Sequence, residues 1–220
     1  MSRGAKTALA VMARYPEAGR VKTRLAKSIG AQAAAELYRA FLLDLHERFG
    51  NDSRQLVWMY EPPDAPFSAL MPTGVCLPQQ GRDLGERMRD CFAALLRSPY
   101  DRVIMIGSDV PHVRSGCIDE ADERLGDHDV VLGPSDDGGY YLIAMRQPHD
   151  LFSMIEMGTP QVLAQTMAAA DGLGLTVHLL PTDFDIDHEC DLTRLRAVLS
   201  TPGAPSLAHT MRALGEILND

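Results

Sequence analysis

Apolar residues along this chain follow two alternating patterns. Short continuous runs at Thr7–Ala13, Gln55–Tyr60, Val75–Pro78, Arg102–Ile106, Asp129–Leu132, Tyr140–Ala144 and Leu175–Leu180 predict seven strands. The first, fourth and fifth are uninterrupted and rich in Val, Ile, Leu or Met, as strands covered on both faces are. Between the runs lie stripes at helical spacing: Leu37, Phe41 and Leu45 with Tyr38, Leu42 and Phe49, then Leu84, Met88, Cys91, Phe92 and Leu95, then Val162, Leu163, Thr166 and Met167. Arg114–Leu125 is a less regular helix, and Asp191–Leu199 and Ser206–Leu218 close the chain around a Pro/Gly break at Thr201–Pro205. Such alternation predicts an α/β fold, one domain over residues 1–220, with a mostly parallel central sheet flanked by helices. Ligands of such sheets sit beyond the carboxyl ends of the strands, so the loops that follow strands are where chemistry is expected.

Composition narrows the function classes. The net charge is −9, yet residues 1–30 carry seven basic side chains and one acid, Glu17, which leaves −15 for the rest. A net-acidic body has no general attraction for nucleic acid, whose binding needs many neutralised phosphates. A small basic segment on it suits a small anion such as a phosphate, or has no role at all. The four cysteines form no C-x-x-C pair, which argues against a disulfide scaffold or zinc ribbon and fits a reducing, cytoplasmic setting. No apolar run reaches the roughly 20 residues of a membrane span. The start imitates a signal peptide, with Arg3 and Lys6 before an apolar Thr7–Ala13, but Arg14, Arg20, Lys22 and Arg24 follow where a small-residue cleavage region belongs. It reads as a buried first strand.

Five post-strand segments carry the candidate chemistry. After the first strand, Arg14-Tyr15-Pro16-Glu17-Ala18-Gly19-Arg20-Val21-Lys22-Thr23-Arg24 sets three cations at alternate positions in a loop with Gly and Pro. Loop amides and such cations can cradle a polyphosphate, with Lys as a point charge and Arg as a planar fork. A solvated basic loop accounts for the pattern equally well, and neither the P-loop nor the dinucleotide fingerprint spacing is present. After the fourth strand, Gly107-Ser108-Asp109-Val110-Pro111 delivers one carboxylate; it is either a turn residue capping the next helix or a ligand for Mg²⁺, which takes one or two carboxylates plus substrate phosphates. Late in the chain, Asp185 and Asp187 alternate around Ile186, with Asp191 a plausible N-cap. His188 and Cys190 beside them lack the further ligands a zinc site needs.

Ser135-Asp136-Asp137-Gly138-Gly139 reads first as a hairpin turn, and otherwise as a wall where glycine lets a substrate approach the backbone. Gln79-Gln80-Gly81-Arg82-Asp83 is either an ordinary loop and helix cap or a set of contacts to a nucleobase edge.

Taken in order along the chain, these segments resemble the nucleotide-diphospho-sugar transferase (GT-A) superfamily. More narrowly, A-R-Y-P-E-A-G-R-V-K-T-R-L, Q-G-R-D-L-G-E-R-M, G-S-D-V-P, D-D-G-G-Y-Y-L and D-I-D-x-x-x-D-L look like the rSAM/selenodomain-associated transferases, over Leu9 to about Leu199. The Lys22–Leu25 loop and the D-I-D-x-x-x-D-L ending are also similar to phospholactate guanylyltransferases and sugar-acid cytidylyltransferases. The resemblance implies a Rossmann-like GT-A fold and a divalent ion, Mg²⁺ or Mn²⁺, on Asp109 and Asp187, with Asp185 the less suited ligand. It implies nucleotide contacts from Arg14, Gly19, Arg20, Lys22, Arg24, Gln80 and Gly81, with Lys22, Arg24 and Asp109 at the reacting phosphates and Asp137, Gly138 and Gly139 toward the acceptor. His188-Glu189-Cys190 and Met157-Gly158-Thr159 depart from the relatives' usual Thr-Pro-Glu and Trp-Ser-Thr, so acceptor identity does not carry over.

Three activities are compatible with this pattern. In nucleotidyl transfer an acceptor phosphate attacks the α-phosphorus of an NTP and expels pyrophosphate, which calls for alignment and charge neutralisation. In glycosyl transfer from an NDP-sugar, an inverting enzyme needs a base near the acceptor hydroxyl, and Asp137, with Asp136 behind it, is the candidate. The third is a nucleotide-binding module without turnover.

Overall fold

Strand β1 (Thr7–Arg14) runs through the middle of a seven-stranded sheet whose order is β3-β2-β1-β4-β6-β5-β7. The other strands are β2 (Gln55–Glu61), β3 (Val75–Pro78), β4 (Arg102–Gly107), β5 (Val130–Pro134), β6 (Tyr140–Met145) and β7 (Val177–Leu179). This computed structural model describes residues 5–97, 99–153 and 155–217. Residues 1–4 of the signal-like start and Leu218 of the last predicted helix therefore lie outside the described residues. All seven predicted runs are strands. β1 pairs in parallel with β2 and β4, β2 with β3, and β5 with β7. β6 runs antiparallel to both β4 and β5, so it alone is reversed. The Asp-Gly-Gly segment is the hairpin turn between β5 and β6, as its composition predicts.

Alternating residues of β1 divide the interior into two halves. On one face Leu9, Val11 and Ala13 meet α2 (Ala31–Phe49), α5 (Ser115–Arg124), α7 (Glu189–Leu199) and α8 (Ala208–Ile217) through Phe41, Leu45, Ile118, Leu195 and Leu214. On the other, Ala8 and Ala10 meet α4 (Leu84–Arg97) and α6 (Val162–Gly172) through Met88, Phe92, Leu95 and Ala170. β1, β4 and β5 are buried almost throughout, which explains their unbroken apolar runs.

Two single-turn helices, α1 (Ala26–Ile29) and α3 (Phe67–Leu70), escape the periodicity because four residues cannot show it. The expected N-cap role of Asp191 is corrected: α7 begins at Glu189 with His188 as N-cap, and Asp191 is its third residue. Asp83 does act as a cap, accepting the Glu86 amide at 2.8 Å. Among the described residues, no helix is long and apolar enough to cross a membrane.

Candidate active site

The strand order turns round at β1, with β2 and β3 on one side and β4 on the other. Loops leaving β1 and β4 therefore diverge and leave a crevice at the carboxyl ends of the parallel strands. The reversed β6 brings its first residues to the same end. A cleft of about 770 Å³ opens there, walled by the loop after β1, the start of α4, the Ser108–Asp109 turn, the β5–β6 hairpin and the segments around Met157–Thr159 and Asp185–Asp187.

Lys22 is the centre of the charged half. Its φ is +48°, and it is the sole non-glycine residue with a positive φ among the described residues. A lysine in that region carries strain on the order of 1–3 kcal/mol, which persists only where the surroundings impose it. Here the turn swings the side chain inward until 3 % of it is exposed, and Nζ lies 2.6 Å from Asp109 Oδ1 and 3.1 Å from Asp187 Oδ1. Burial of the ammonium works to lower its pKa, but the Asp109 and Asp187 charges outweigh it and the net shift is upward. The Asp187 carboxyl is likewise driven up by burial and pulled down further by Lys22 and Arg24, so it is held below the usual range.

Asp109 leaves the end of β4 and caps no helix; α5 starts six residues later. Its carbonyl accepts the Ile186 amide at 3.0 Å, tying the Asp185–Asp187 segment to the β4 turn. Asp191 completes the alignment, its Oδ2 accepting the amides of Asp187 at 3.0 Å and His188 at 2.7 Å. Asp185 points into different company: Ser135 Oγ donates to its Oδ2 at 2.9 Å. Its pKa is pushed up to about 7, chiefly by burial, with Asp109 and Asp137 adding and Ser135 opposing. Held toward its neutral form, that carboxyl offers a cation less charge than Asp187 does.

Further cations ring the mouth. Arg24, 63 % exposed, donates from Nη1 to Asp187 Oδ2 at 3.1 Å. Arg14 Nε is 2.6 Å from Glu61 Oε1, and Arg87 pairs with the other oxygen of Glu61. Arg20 lines the cleft and has no ion-pair partner among the described residues. Beneath them the buried Tyr38 hydroxyl lies 2.7 Å from Ser108 Oγ and accepts the Arg14 amide at 3.0 Å, which joins the β1 and β4 loops.

Of the residues singled out in the sequence, Arg14, Arg20, Lys22, Arg24, Asp109, Asp137, Gly139 and Asp187 all line this cleft. Gly19, Gln80, Gly81 and Gly138 do not. Gln80 is exposed, while its neighbour Gln79 is buried and donates to the carbonyls of Met59 at 2.8 Å and Ala13 at 3.2 Å. At Gly138 (φ +89°) a Cβ would fall 2.1 Å from the Pro160 carbonyl oxygen, so the close approach there is by backbone of the same chain. Sequence reading gave no site role to Tyr38, Glu61, Arg87 or Ser108, although Arg87 and Ser108 stand inside the Q-G-R-D-L-G-E-R-M and G-S-D-V-P segments. Arg87 had a signal, lying one turn beyond Asp83 on the face of α4 nearest its start.

The donor set suits a hard divalent ion. Two carboxylates converge within 3.1 Å of one positive charge, and such a pair with substrate phosphates and water is how Mg²⁺ is commonly held. Among the described residues, one group of three potential ligands lies within 4.8 Å of one another, Asp44, Glu47 and His209. It stands outside the cleft, and Asp44 already accepts the His209 and Thr210 amides at 3.0 and 2.8 Å to hold the start of α8.

The family described as "Uncharacterized protein conserved in bacteria (DUF2064)" matches residues 44–159. A crystal structure from Desulfovibrio desulfuricans G20, described provisionally as a nucleotide-diphospho-sugar transferase, is 32 % identical, with a TM-score of 0.89 over 98 % of this chain and 97 % of that one. The 3-phospho-D-glycerate guanylyltransferase of Phenylobacterium zucineum (strain HLK1) is 29 % identical over 134 residues, 57 % of this chain and 61 % of the enzyme's own length. CMP:2-keto-3-deoxy-manno-octonic acid synthetase, solved with CTP, shares the fold at a TM-score of 0.54 and 11 % identity, over 89 % of this chain and 99 % of that one. The architecture is thus the nucleotide-diphospho-sugar transferase fold, which the synthetase shares.

Proposed function

The chain belongs to the bacterial family DUF2064, and for this member we propose nucleotidyl transfer from an NTP to a phosphorylated small molecule, with release of pyrophosphate. The observation that carries the reading is the contact between Lys22, Asp109 and Asp187, with Arg24 against the same carboxylate. A reaction that expels pyrophosphate needs a divalent-ion site and mobile cations side by side, because charge builds on the leaving phosphates. Asp109 and Asp187 would hold Mg²⁺ or Mn²⁺, which when bound neutralises the phosphates and favours attack at the α-phosphorus. Lys22, Arg24, Arg20 and Arg14 would face the β- and γ-phosphates. An oxygen of the acceptor phosphate forms the new bond to the α-phosphorus as the bond to the bridging oxygen breaks, and that oxygen leaves with pyrophosphate. The guanylyltransferase relative supports this reaction class.

A specific observation keeps glycosyl transfer as the second reading: the 32 % identical structure carries a nucleotide-diphospho-sugar transferase description. The candidate base for that reaction, Asp137, is exposed and uses Oδ1 to accept the Gly139 amide at 2.9 Å, so part of its carboxylate is committed to its own turn. Asp137→Asn is expected to lower turnover modestly, since an ionised acceptor phosphate needs no base. A base contributes about 10²–10⁴-fold, and a loss of that size with substrate binding intact, measured with an NDP-sugar, would move the assignment to glycosyl transfer.

The deciding experiment is a donor scan with a panel of phosphate monoesters. Mg²⁺-dependent pyrophosphate release from one NTP is the expected result. NDP release from an NDP-sugar supports the second reading, and nucleotide binding without either product reduces the protein to a binding module. A smaller check concerns Arg24. Because its side chain is largely in water, Arg24→Ala should leave the melting temperature nearly unchanged while weakening NTP binding roughly tenfold or more, the worth of one charge-assisted contact.

A further inference from the structure

The two faces of the sheet give the cleft two unlike halves. Lys22, Tyr38, Ser108, Asp109, Asp185 and Asp187 lie toward the core half that contains Val11, Ile106 and Ile186. Toward the other half the cleft floor is Met88, Met105 and Ile143, with Tyr140 and Met157 packed against the same cluster. Leu84 stands at the rim, 46 % exposed, and among the described residues it is the one large apolar side chain that is both exposed and on the cleft wall. The fold leaves it uncovered, since the inward stripe of α4 is Met88, Cys91, Phe92 and Leu95. Gly85, next to it, is closely packed: a Cβ there would lie 3.3 Å from the Phe152 carbonyl oxygen, 3.4 Å from Asp83 Oδ1 and 3.6 Å from the Met157 methyl. Over that buried floor, Leu84, Tyr140 and Met157 are the partly or largely exposed apolar side chains, and Arg82, Asp83, Arg87 and Asp137 line the cleft around them.

We propose that this half is a subsite for the body of the acceptor, and that the acceptor is a phosphate monoester bearing a hydrocarbon or aromatic group, not a polyhydroxylated one. The assignment to the acceptor rests on the nucleotidyl-transfer reading; the apolar subsite rests on the geometry alone. Methionines suit such a wall because their flexible, polarisable side chains adapt to irregular apolar shapes. A cleft of about 770 Å³ falls within the range of roughly 300–1,000 Å³ usual for small-molecule sites, and the charged half supplies the cations for the phosphates.

The test is calorimetric titration with methyl, ethyl, propyl and butyl phosphate and with glycerol 3-phosphate, without reference to turnover. Affinity should rise about fourfold per methylene, the fold-change that about 0.8 kcal/mol per buried CH₂ represents, so butyl phosphate binds roughly 60-fold more tightly than methyl phosphate. Glycerol 3-phosphate should bind no better than methyl phosphate. Met157→Ser should flatten the series, weakening butyl phosphate more than methyl phosphate. Saturating GTP should leave the chain-length dependence in place. A flat series, a preference for glycerol 3-phosphate, or competition between GTP and butyl phosphate would each overturn the proposal. A steep series in a protein that releases no pyrophosphate from any NTP would retain the subsite and discard the reaction, whereas pyrophosphate release with a flat series would do the reverse.

Discussion

Replacing Lys22 with alanine is expected to move metal and nucleotide affinity in opposite directions. In this structure the ammonium stands between Asp109 and Asp187, at 2.6 and 3.1 Å, where a divalent ion held by the same two residues would compete with it. Without nucleotide, an incoming Mn²⁺ or Mg²⁺ must displace a buried positive charge or share its ligands. Removing the lysine lifts that competition, so Mn²⁺ should bind Lys22→Ala more tightly than the unaltered protein. Each charge-assisted contact is worth about 1.5–3 kcal/mol, which sets the gain at roughly ten- to a hundredfold. NTP binding should fall by a similar factor, because the same ammonium is the innermost cation available to the phosphates. Calorimetric titration of each ligand alone and of both together measures this. Unaltered protein should also bind metal and nucleotide with positive coupling, since phosphates that draw Lys22 away from the carboxylates free them for the ion, and coupling is reciprocal. Equal metal affinity in the two proteins, or an absence of coupling in the unaltered one, would sink this account of the site.

That competition was beyond the reach of the sequence. Lys22, Arg24, Asp109 and Asp187 were legible as candidates because each follows an apolar run, and the position after a strand is where α/β sheets place ligands. The conformation of Lys22 was not, because a positive φ at lysine has no compositional signature; a glycine there would have suggested it. As a loop cation Lys22 looks solvated, yet it is the most buried charge in the cleft. Sheet topology was partly legible for a similar reason. Uninterrupted apolar runs mark β1, β4 and β5 as covered on both faces, but the direction of β6 depends on a two-glycine turn and on which neighbour it then meets. Its pairing with β4 as well as β5 is a long-range choice. The same holds for Glu61, which ends β2 as an ordinary acidic residue and proves to join Arg14 and Arg87 across 47 and 26 positions of chain. Gln79 and Gln80 show how parity decides: the amide of Gln79 extends the β2–β3 ladder by bonding Tyr60, which turns its side chain inward and leaves Gln80 outside.

Gly138→Ala should be among the most damaging single-methyl changes at the acceptor side of the cleft. Gly138 has a φ of +89°, and a Cβ there would sit 2.1 Å from the carbonyl oxygen of Pro160 and 2.7 Å from its carbonyl carbon. Both are backbone atoms, so no side chain can rotate to make room. The carbonyl of Gly138 also accepts the Leu163 amide at 2.9 Å, so the hairpin and the start of α6 are fastened to each other at this point. Backbone strain on the order of 1–3 kcal/mol adds to an overpacking cost of about 1–3 kcal/mol, or about 4 kcal/mol in total at the middle of both ranges. In a domain of this size each kcal/mol lowers the melting temperature by about 2–4 °C, so a fall of roughly 8–16 °C is expected. Gly139→Ala is the control: its φ is not positive, and its Cβ would meet the Asp137 carboxylate at 3.1 Å, the end of an exposed side chain that can give way. It should cost far less. Because Pro160 leads from Met157–Thr159 into α6, the Gly138 variant should also raise the acceptor KM while nucleotide affinity holds. Its charged half is built from β1, β4 and the Asp187 segment, none of which contains Pro160. Melting temperatures that do not distinguish the two variants would show that the hairpin and the Pro160 segment separate freely, and that neither one positions the acceptor wall.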